Sequence, residues 1–271
     1  LKVLMKYAGI SVFEYFPDSD RMVLYNEQLE EEKGIMPFLG QLGQICTIHP
    51  EDVQKMREFL LGQTLGTVEL KLLKKGHYKR VLLDALQKEE GDQSVIGCIR
   101  DITEIRKREE LLEDQARRDS MTGLYNHDTG KLLVNEYLRE KRMDASSGLL
   151  MLDVDHFKNV NDVYGHLFGD EVLIGFADIM NRYLPDDGIS VRFGGEEFLL
   201  VLPQMTEEQV RDLLEKMRQD YKAFGRQKCG EDFTFSCGIE RYVADMEITA
   251  LFSRADDKLY QAKQKGRDCV V

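Results

Sequence analysis

Along the first hundred residues the apolar positions change period three times. Between Ile10 and Phe16 they alternate, Met22-Val23-Leu24-Tyr25 forms a second short run, and Pro17-Asp18-Ser19-Asp20 separates them, so the stretch predicts a β-hairpin. From Pro50, a residue suited to the first turn of a helix, Val53, Met56, Phe59 and Leu60 recur at helical spacing and predict one apolar helix face. Three strand patterns follow, Thr67 to Leu73, Tyr78 to Leu86 and Ser94 to Ile99, separated by Lys75-Gly76 and by Glu89-Glu90-Gly91-Asp92. Two strands, a helical middle and three strands make residues 1–100 a small α+β domain.

Residues 101–118 read as a charged helical linker. Ile102, Ile105, Glu109, Leu112 and Ala116 fall at spacings of 3, 4, 3 and 4, a heptad seam with an acid at one core position. So short a seam pairs two chains only with help from the flanking domains, and the alternative is a solvated helix packed on its own chain. From Asp119 to the end, residues 119–271, the pattern becomes α/β. A loop to Asn126 precedes a helix with Leu132, Leu133, Tyr137 and Leu138 on its apolar side, and Gly148 to Leu152 is a continuous apolar run of the kind found in the middle of a sheet. The next helix is expected to begin near His156 or Phe157, to turn Val160 and Tyr164 to the core and to stop at Gly165. Gly169-Asp170 then opens another, which buries Val172, Leu173 and Phe176. Asp170 alone reads as an N-cap.

The stretch from Val191 to Leu202 carries the chemistry. Two apolar runs are joined by Gly194-Gly195 with Glu196 and Glu197 directly behind, which predicts a hairpin with carboxylates at its bend. The glycines can take positive φ and let phosphates approach the backbone, while strand alternation sends Glu196 and Glu197 to opposite sides. Alone, this is a turn with a solvated acidic pair. The buried run ending in Asp153-Val154-Asp155 changes that, because acids at the end of a core strand are costly unless they meet cations, which favours a metal site.

Composition narrows the classes. A formal net charge of −12 argues against a general nucleic-acid or anionic-membrane surface. Five scattered cysteines, Cys46, Cys98, Cys229, Cys237 and Cys269, show neither a disulfide framework nor zinc spacing and fit a reducing cytoplasm. No apolar run approaches the roughly 20 residues of a bilayer span. Because the chain opens on Leu1 rather than methionine, it reads as a piece of something longer, with room for a membrane anchor upstream.

Five ordered blocks resemble the GGDEF diguanylate cyclases: Asp119-x-x-Thr122-Gly123-Leu124-x-Asn126, the run from Asp153 to Asp170, Gly194-Gly195-Glu196-Glu197-Phe198, Ser236-x-Gly238, and the run from Ala255 to Arg267. The resemblance spans 119–271 and implies an α/β domain with a mixed central sheet, related to the nucleotide cyclase and polymerase palm. It also implies condensation of two GTP into cyclic di-GMP by a homodimer with Mg²⁺ or Mn²⁺. By the same resemblance Asp153, Glu196 and the Val154 carbonyl hold the metal, Glu196 is also the base, and Glu197 supports a metal. Lys158, Lys263 and Arg267 neutralise phosphates, and Asn161 and Asp170 meet the guanine edge, with His166 a weaker candidate. The Arg-x-x-Asp product-binding motif of many members falls here on Pro185-Asp186-Asp187-Gly188, which lacks both groups.

The order of elements in residues 1–100, with Ile48-His49-Pro50-Glu51-Asp52 and the exit from Gly97 to Thr103, resembles PAS sensor domains. That implies a fold and leaves the ligand open. A haem at His49 or His77 is disfavoured, since a histidine before a helix-starting proline reads as a cap or surface residue. Against the cyclase stand two other readings, a degenerate nucleotide receptor and a sensor-based docking module.

Overall fold

The computed structural model describes residues 10–25, 31–42, 48–62, 66–74, 76–85, 94–140, 147–243 and 246–271. The chain forms two compact units, Leu1–Leu112 and Glu113–Val271. Leu86, the Glu89 to Asp92 turn, Lys75 and Cys46 lie outside the described residues. No helix among the described residues is long and apolar enough to cross a membrane.

The first unit is built on β1 (Ile10–Phe16), β2 (Arg21–Tyr25), β3 (Glu31–Ile35), α1 (Val53–Leu60), β4 (Thr67–Lys74), β5 (His77–Ala85) and β6 (Val95–Asp101). The strands form one sheet in the order β3-β2-β1-β6-β5-β4, antiparallel at every pairing. Phe13, Tyr15, Leu70 and Leu83 of the sheet pack with Met56, Phe59 and Leu60 of α1, the periodic face that the sequence predicts. β3 is an addition to the predicted order. Its Glu-Glu-Lys-Gly sequence offers no apolar alternation, and it forms as an edge strand on β2.

The His-Pro-Glu-Asp signature has a structural use. His49 Nδ1 accepts the Glu51 N–H at 3.4 Å and caps the turn that begins at Pro50. Asp52, only 3 % exposed, accepts Lys55 Nζ at 2.8 Å and the Lys71 N–H at 2.7 Å, which ties the helix entry to β4. After β6, Asp101 receives Lys79 and the Thr103 N–H, and α2 (Thr103–Arg117) begins. No residue of α2 is buried; Ile105 and Leu112 of the heptad seam are each 54 % exposed. Ile102, the first seam position, is buried at 6 % exposure, and Arg106 pairs with Glu69 at 2.6 Å, so the seam meets its own chain at its start and is exposed beyond it. Glu109, the acid in that seam, pairs with Arg106 at 2.7 Å.

The second unit continues with α3 (His127–Arg139), β7 (Gly148–Val154), α4 (Phe157–Tyr164), α5 (His166–Tyr183), β8 (Ile189–Arg192), β9 (Glu197–Leu202), α6 (Glu207–Cys229), β10 (Phe235–Arg241) and α7 (Ile248–Gln264). Every residue of β7 is buried, because both faces of the sheet are covered. Leu149 and Met151 pack in one layer with Val134 of α3 and Leu259 of α7. Leu150 and Leu152 pack in the other with Val172 and Phe176 of α5 and Leu214 of α6. The sheet order is β10-β7-β9-β8 and all three pairings are antiparallel. The expected mixed sheet is thus corrected: among the described residues parallel pairing survives only as isolated bridges, Cys237 with Val270 and Tyr125 with Val191.

Three local expectations also change. α5 starts at His166, so Asp170 lies a turn inside the helix and is not an N-cap; Gly165, at φ 86°, ends α4 and leads straight into α5. Tyr164 is 37 % exposed and Leu132 is 63 % exposed, neither of them core. In α3 the layer is filled by Tyr137, as the period predicts, with Leu133 and Leu138 packed against it and Val134 in place of Leu132.

Gly238 of β10 sets how closely α7 approaches the sheet, since a Cβ there would run into the backbone of Leu259 and Ala255. Backbone cannot rotate away as a side chain can, so α7 would have to shift. Gly238→Ala is expected to destabilise the second unit by about 1–3 kcal/mol, read as a lowered denaturation midpoint. An unchanged midpoint would refute the close-approach account.

Candidate functional site

The site grows from the end of β7. Register places Asp153 opposite Glu197 on β9, and the Val154 N–H donates to the Glu196 carbonyl at 3.1 Å. The hairpin bend therefore hangs over the strand end and carries Glu196 with it. Phe193 and Gly194 both donate N–H to the Glu197 carbonyl, at 2.8 and 3.1 Å. Contrary to expectation, neither Gly194 nor Gly195 adopts positive φ. The bend is held from outside instead: Arg192 Nη2 donates to the Gly195 carbonyl at 2.9 Å, and Nη1 pairs with Asp119 Oδ1 at 3.1 Å. Asp119 is desolvated, which raises a carboxyl pKa, yet bonds from Thr122 and Arg192 outweigh this and hold it below the usual range.

The two acids of Asp153-Val154-Asp155 divide their work. Asp155 accepts the hydroxyls of Ser236 at 2.7 Å and Thr234 at 2.8 Å and the Asp268 N–H at 2.9 Å, so its lone pairs are spent on structure. Asp153 is 6 % exposed and pairs with Lys263 Nζ at 2.7 Å. Burial pushes its carboxyl up to about 6; the Lys263 ammonium works against the rise, while the negative fields of Glu196 and Glu197 add to it.

Asp153, Lys158, Glu196, Lys263 and Arg267 line one cleft of about 500 Å³. His156, Asn159 and Asp162 line it too. Sequence reasoning gave these no role, although His156 directly follows the Asp-Val-Asp run and takes a left-handed φ of 55° at the start of α4. Glu197 lines a separate cavity of about 970 Å³ with Phe193, Met151 and Phe252, as alternation about the bend requires. It reaches the cleft through its charge on Asp153. Asn161, His166 and Asp170 are outside the cleft lining. The Asn161 amide oxygen is buried without a partner and sits where a Cβ on Gly169 would collide, so the glycine makes room for it beside Asp170. His166 is exposed.

Among the described residues no three His, Cys, Asp or Glu side chains converge as a metal site. Asp153 and Glu196 line the same cleft and offer hard carboxylate oxygens of the kind that suit Mg²⁺ or Mn²⁺, with the Val154 carbonyl between them in the chain as a third candidate donor. Near the positions of the missing Arg-x-x-Asp motif, the Gly188 N–H is spent on the Pro185 carbonyl at 2.8 Å.

Residues 116–269, more than half of the chain, match the family described as diguanylate cyclase, GGDEF domain. The chain is 35% identical over 182 residues to diguanylate cyclase DgcM of Escherichia coli K12, covering 67% of this chain and 44% of that protein. It therefore spans less than half the length of that relative. The coiled coil and GGDEF domain of DgcB from Caulobacter crescentus, solved with c-di-GMP, superposes with a TM-score of 0.58 at 27% identity, covering 63% of this chain and 92% of that one. Diguanylate cyclase SiaD from Pseudomonas aeruginosa, solved with its activator SiaC, gives a TM-score of 0.55 at 35% identity, covering 62% of this chain and 66% of that one. With the motif blocks, the palm-like antiparallel sheet and the family match in agreement, this chain belongs to the GGDEF diguanylate cyclase family.

Proposed function

We propose that this protein condenses two GTP into cyclic di-GMP with release of two pyrophosphates, and that its first unit is a PAS-like sensor regulating the reaction. The observation that carries the first part is the convergence of Asp153 and Glu196 with Lys158, Lys263 and Arg267 in one cleft. In each half-reaction a 3′-oxygen bonds to the α-phosphorus of the other nucleotide, the bridging bond from α-phosphorus to oxygen breaks, and pyrophosphate leaves. Glu196 takes the hydroxyl proton. Asp153, Glu196 and the Val154 carbonyl would hold Mg²⁺ or Mn²⁺, which when bound supplies charge neutralisation at the reacting phosphate. Lys158, Lys263 and Arg267 bind and orient the phosphates. Asn161 and Asp170 recognise the guanine edge, as the family resemblance implies, with His166 a weaker contributor. One domain holds one nucleotide, so two copies of the chain must face each other.

The sensor reading is supported by the element order of the first unit, two strands, a helix and three strands in one antiparallel sheet with β3 added at the edge. Its ligand is open. A degenerate receptor would bind nucleotide without turnover, and incubation with GTP and Mg²⁺ separates the readings.

Glu196→Ala is expected to lower kcat by about 10²–10³-fold or more with the fold retained, since Glu196 is only half-buried at a bend; wild-type turnover at saturating Mg²⁺ would defeat the assignment. Changes at Pro185 to Gly188 are expected to leave product inhibition unaltered, because those positions offer neither a guanidinium nor a carboxylate in register; relief of inhibition by such changes would refute this. A helix turns about 100° per residue and seven residues nearly restore its phase. Deleting one residue near Glu109 is therefore expected to shift basal activity strongly, and inserting a heptad there to preserve it. Equal activities in the two variants, both dimeric by light scattering, would make α2 a passive tether.

A further inference from the structure

Arg267 enters the cleft from an unfavourable stretch of backbone. It and Asp268 both carry positive φ, 67° and 46°, a left-handed pair that residues other than glycine adopt only where their surroundings hold them. α7 has already ended at Gln264, and the Arg267 N–H reaches back to the Ala262 carbonyl at 3.2 Å. That bond fixes where the chain leaves the helix and leaves the direction of residue 267 to its neighbour.

Asp268 is gripped from several sides. Arg218 Nε and Nη2 donate to its Oδ1 at 3.0 and 2.8 Å, and Nη2 also donates to its backbone carbonyl at 2.8 Å. Lys222 Nζ donates to Oδ2 at 2.6 Å. The Asp268 N–H is fixed to Asp155 Oδ2 at 2.9 Å, and Asp155 is itself held by Thr234 and Ser236. Arg218 and Lys222 stand one turn apart on α6, 23 % and 26 % exposed, and neither lines the cleft. The tail beyond does not need them, because Cys269 and Val271 already pair with Cys237 and Ile239 of β10. Two cations from another helix are thus concentrated on one residue, the one directly after Arg267.

We propose that Arg218, Lys222 and Asp268 form a positioning clamp that sets the Arg267 guanidinium against the phosphates of the nucleotide, a role that rests on the GTP-binding reading above. Arg267 is exposed and long, so its contribution depends on where its Cα is held. The clamp acts on nucleotide only through Arg267.

The test compares the full chain as wild type, Arg267→Ala, Asp268→Asn and the double variant. Cyclic di-GMP formation is followed kinetically, and the affinity for a non-hydrolysable GTP analogue with Mg²⁺ is measured by calorimetry. Each single change is expected to raise KM and weaken the analogue by roughly tenfold, and the double variant to bind no worse than Arg267→Ala. Arg218→Met is expected to weaken binding similarly, and Arg218→Lys, which keeps a cation at Asp268, to recover part of the loss. Losses that multiply in the double variant, or wild-type analogue affinity in Asp268→Asn, would overturn the clamp. If Asp268→Asn does not fold, Arg218→Met and its double with Arg267→Ala make the same comparison. A wild-type protein that binds the analogue without forming product removes the cyclase reading and leaves the clamp to be judged by affinity; one that binds no analogue overturns both.

Discussion

A desolvated carboxylate at the end of a fully buried strand is the constraint on which the second unit depends. Asp153 sits on β7, whose apolar run is covered on both faces, and an ion placed there without a partner would cost several kcal/mol. Its compensation comes from Lys263, 110 residues further along the chain. For that ammonium to arrive, α7 must lie close on β10, which Gly238 permits. The hairpin bend then adds Glu196 and Glu197 at the same strand end, increasing the negative field rather than relieving it. What the fold assembles is a compensated acid beside uncompensated ones, an arrangement that favours cations.

Much of this was legible in the sequence because the strongest signals were local and redundant. The run Gly148 to Leu152 read as a central strand and is one; the Gly-Gly pair read as a hairpin bend and is one. Less was legible where tertiary context decides. Nothing in Glu31 to Ile35 announces a strand, because an edge position on β2 supplies the bonding that the pattern lacks. The start of α5 was displaced because Gly165, with its φ of 86°, closes one helix and opens the next, so that the local cap signal at Asp170 is idle. Period alone puts Leu132 on the apolar side of its helix; Tyr137 from the same pattern is buried, and Val134 fills the place that Leu132 leaves.

In the candidate site, residue identities were easier to read than their division of labour. Local pattern does not tell Asp153 from Asp155 and only the family resemblance favours Asp153; the physical reason is the hydroxyls of Thr234 and Ser236, some eighty residues on, which make Asp155 structural and leave Asp153 to the cleft. The Ser236-x-Gly238 block acquires two separate reasons by the same route, a hydroxyl for Asp155 and a missing Cβ for α7. Arg192 and Asp119 stand at the margins of two motif blocks and turn out to be one ion pair that supports the bend.

Net charge poses the remaining problem for a chain proposed to take a polyanionic nucleotide. At −12 the protein repels phosphates at long range, and screening confines that repulsion to roughly 8 Å at physiological salt. Inside that distance the local arrangement governs. Lys158, Lys263 and Arg267 face the same cleft, Lys263 half-buried and the others exposed. Elsewhere on the second unit many cations are committed to acids: Arg211 to Glu207, Lys216 to Asp212, Lys228 to Glu171. The surface therefore neutralises many of its own cations; in the cleft Lys263 is committed to Asp153, while Lys158 and Arg267 line the open volume. The same cleft also carries the carboxylates of Asp153, Asp162 and Glu196, so a polyanion meets cations and acids side by side, and the acids repel it until a cation lies between them and its phosphates.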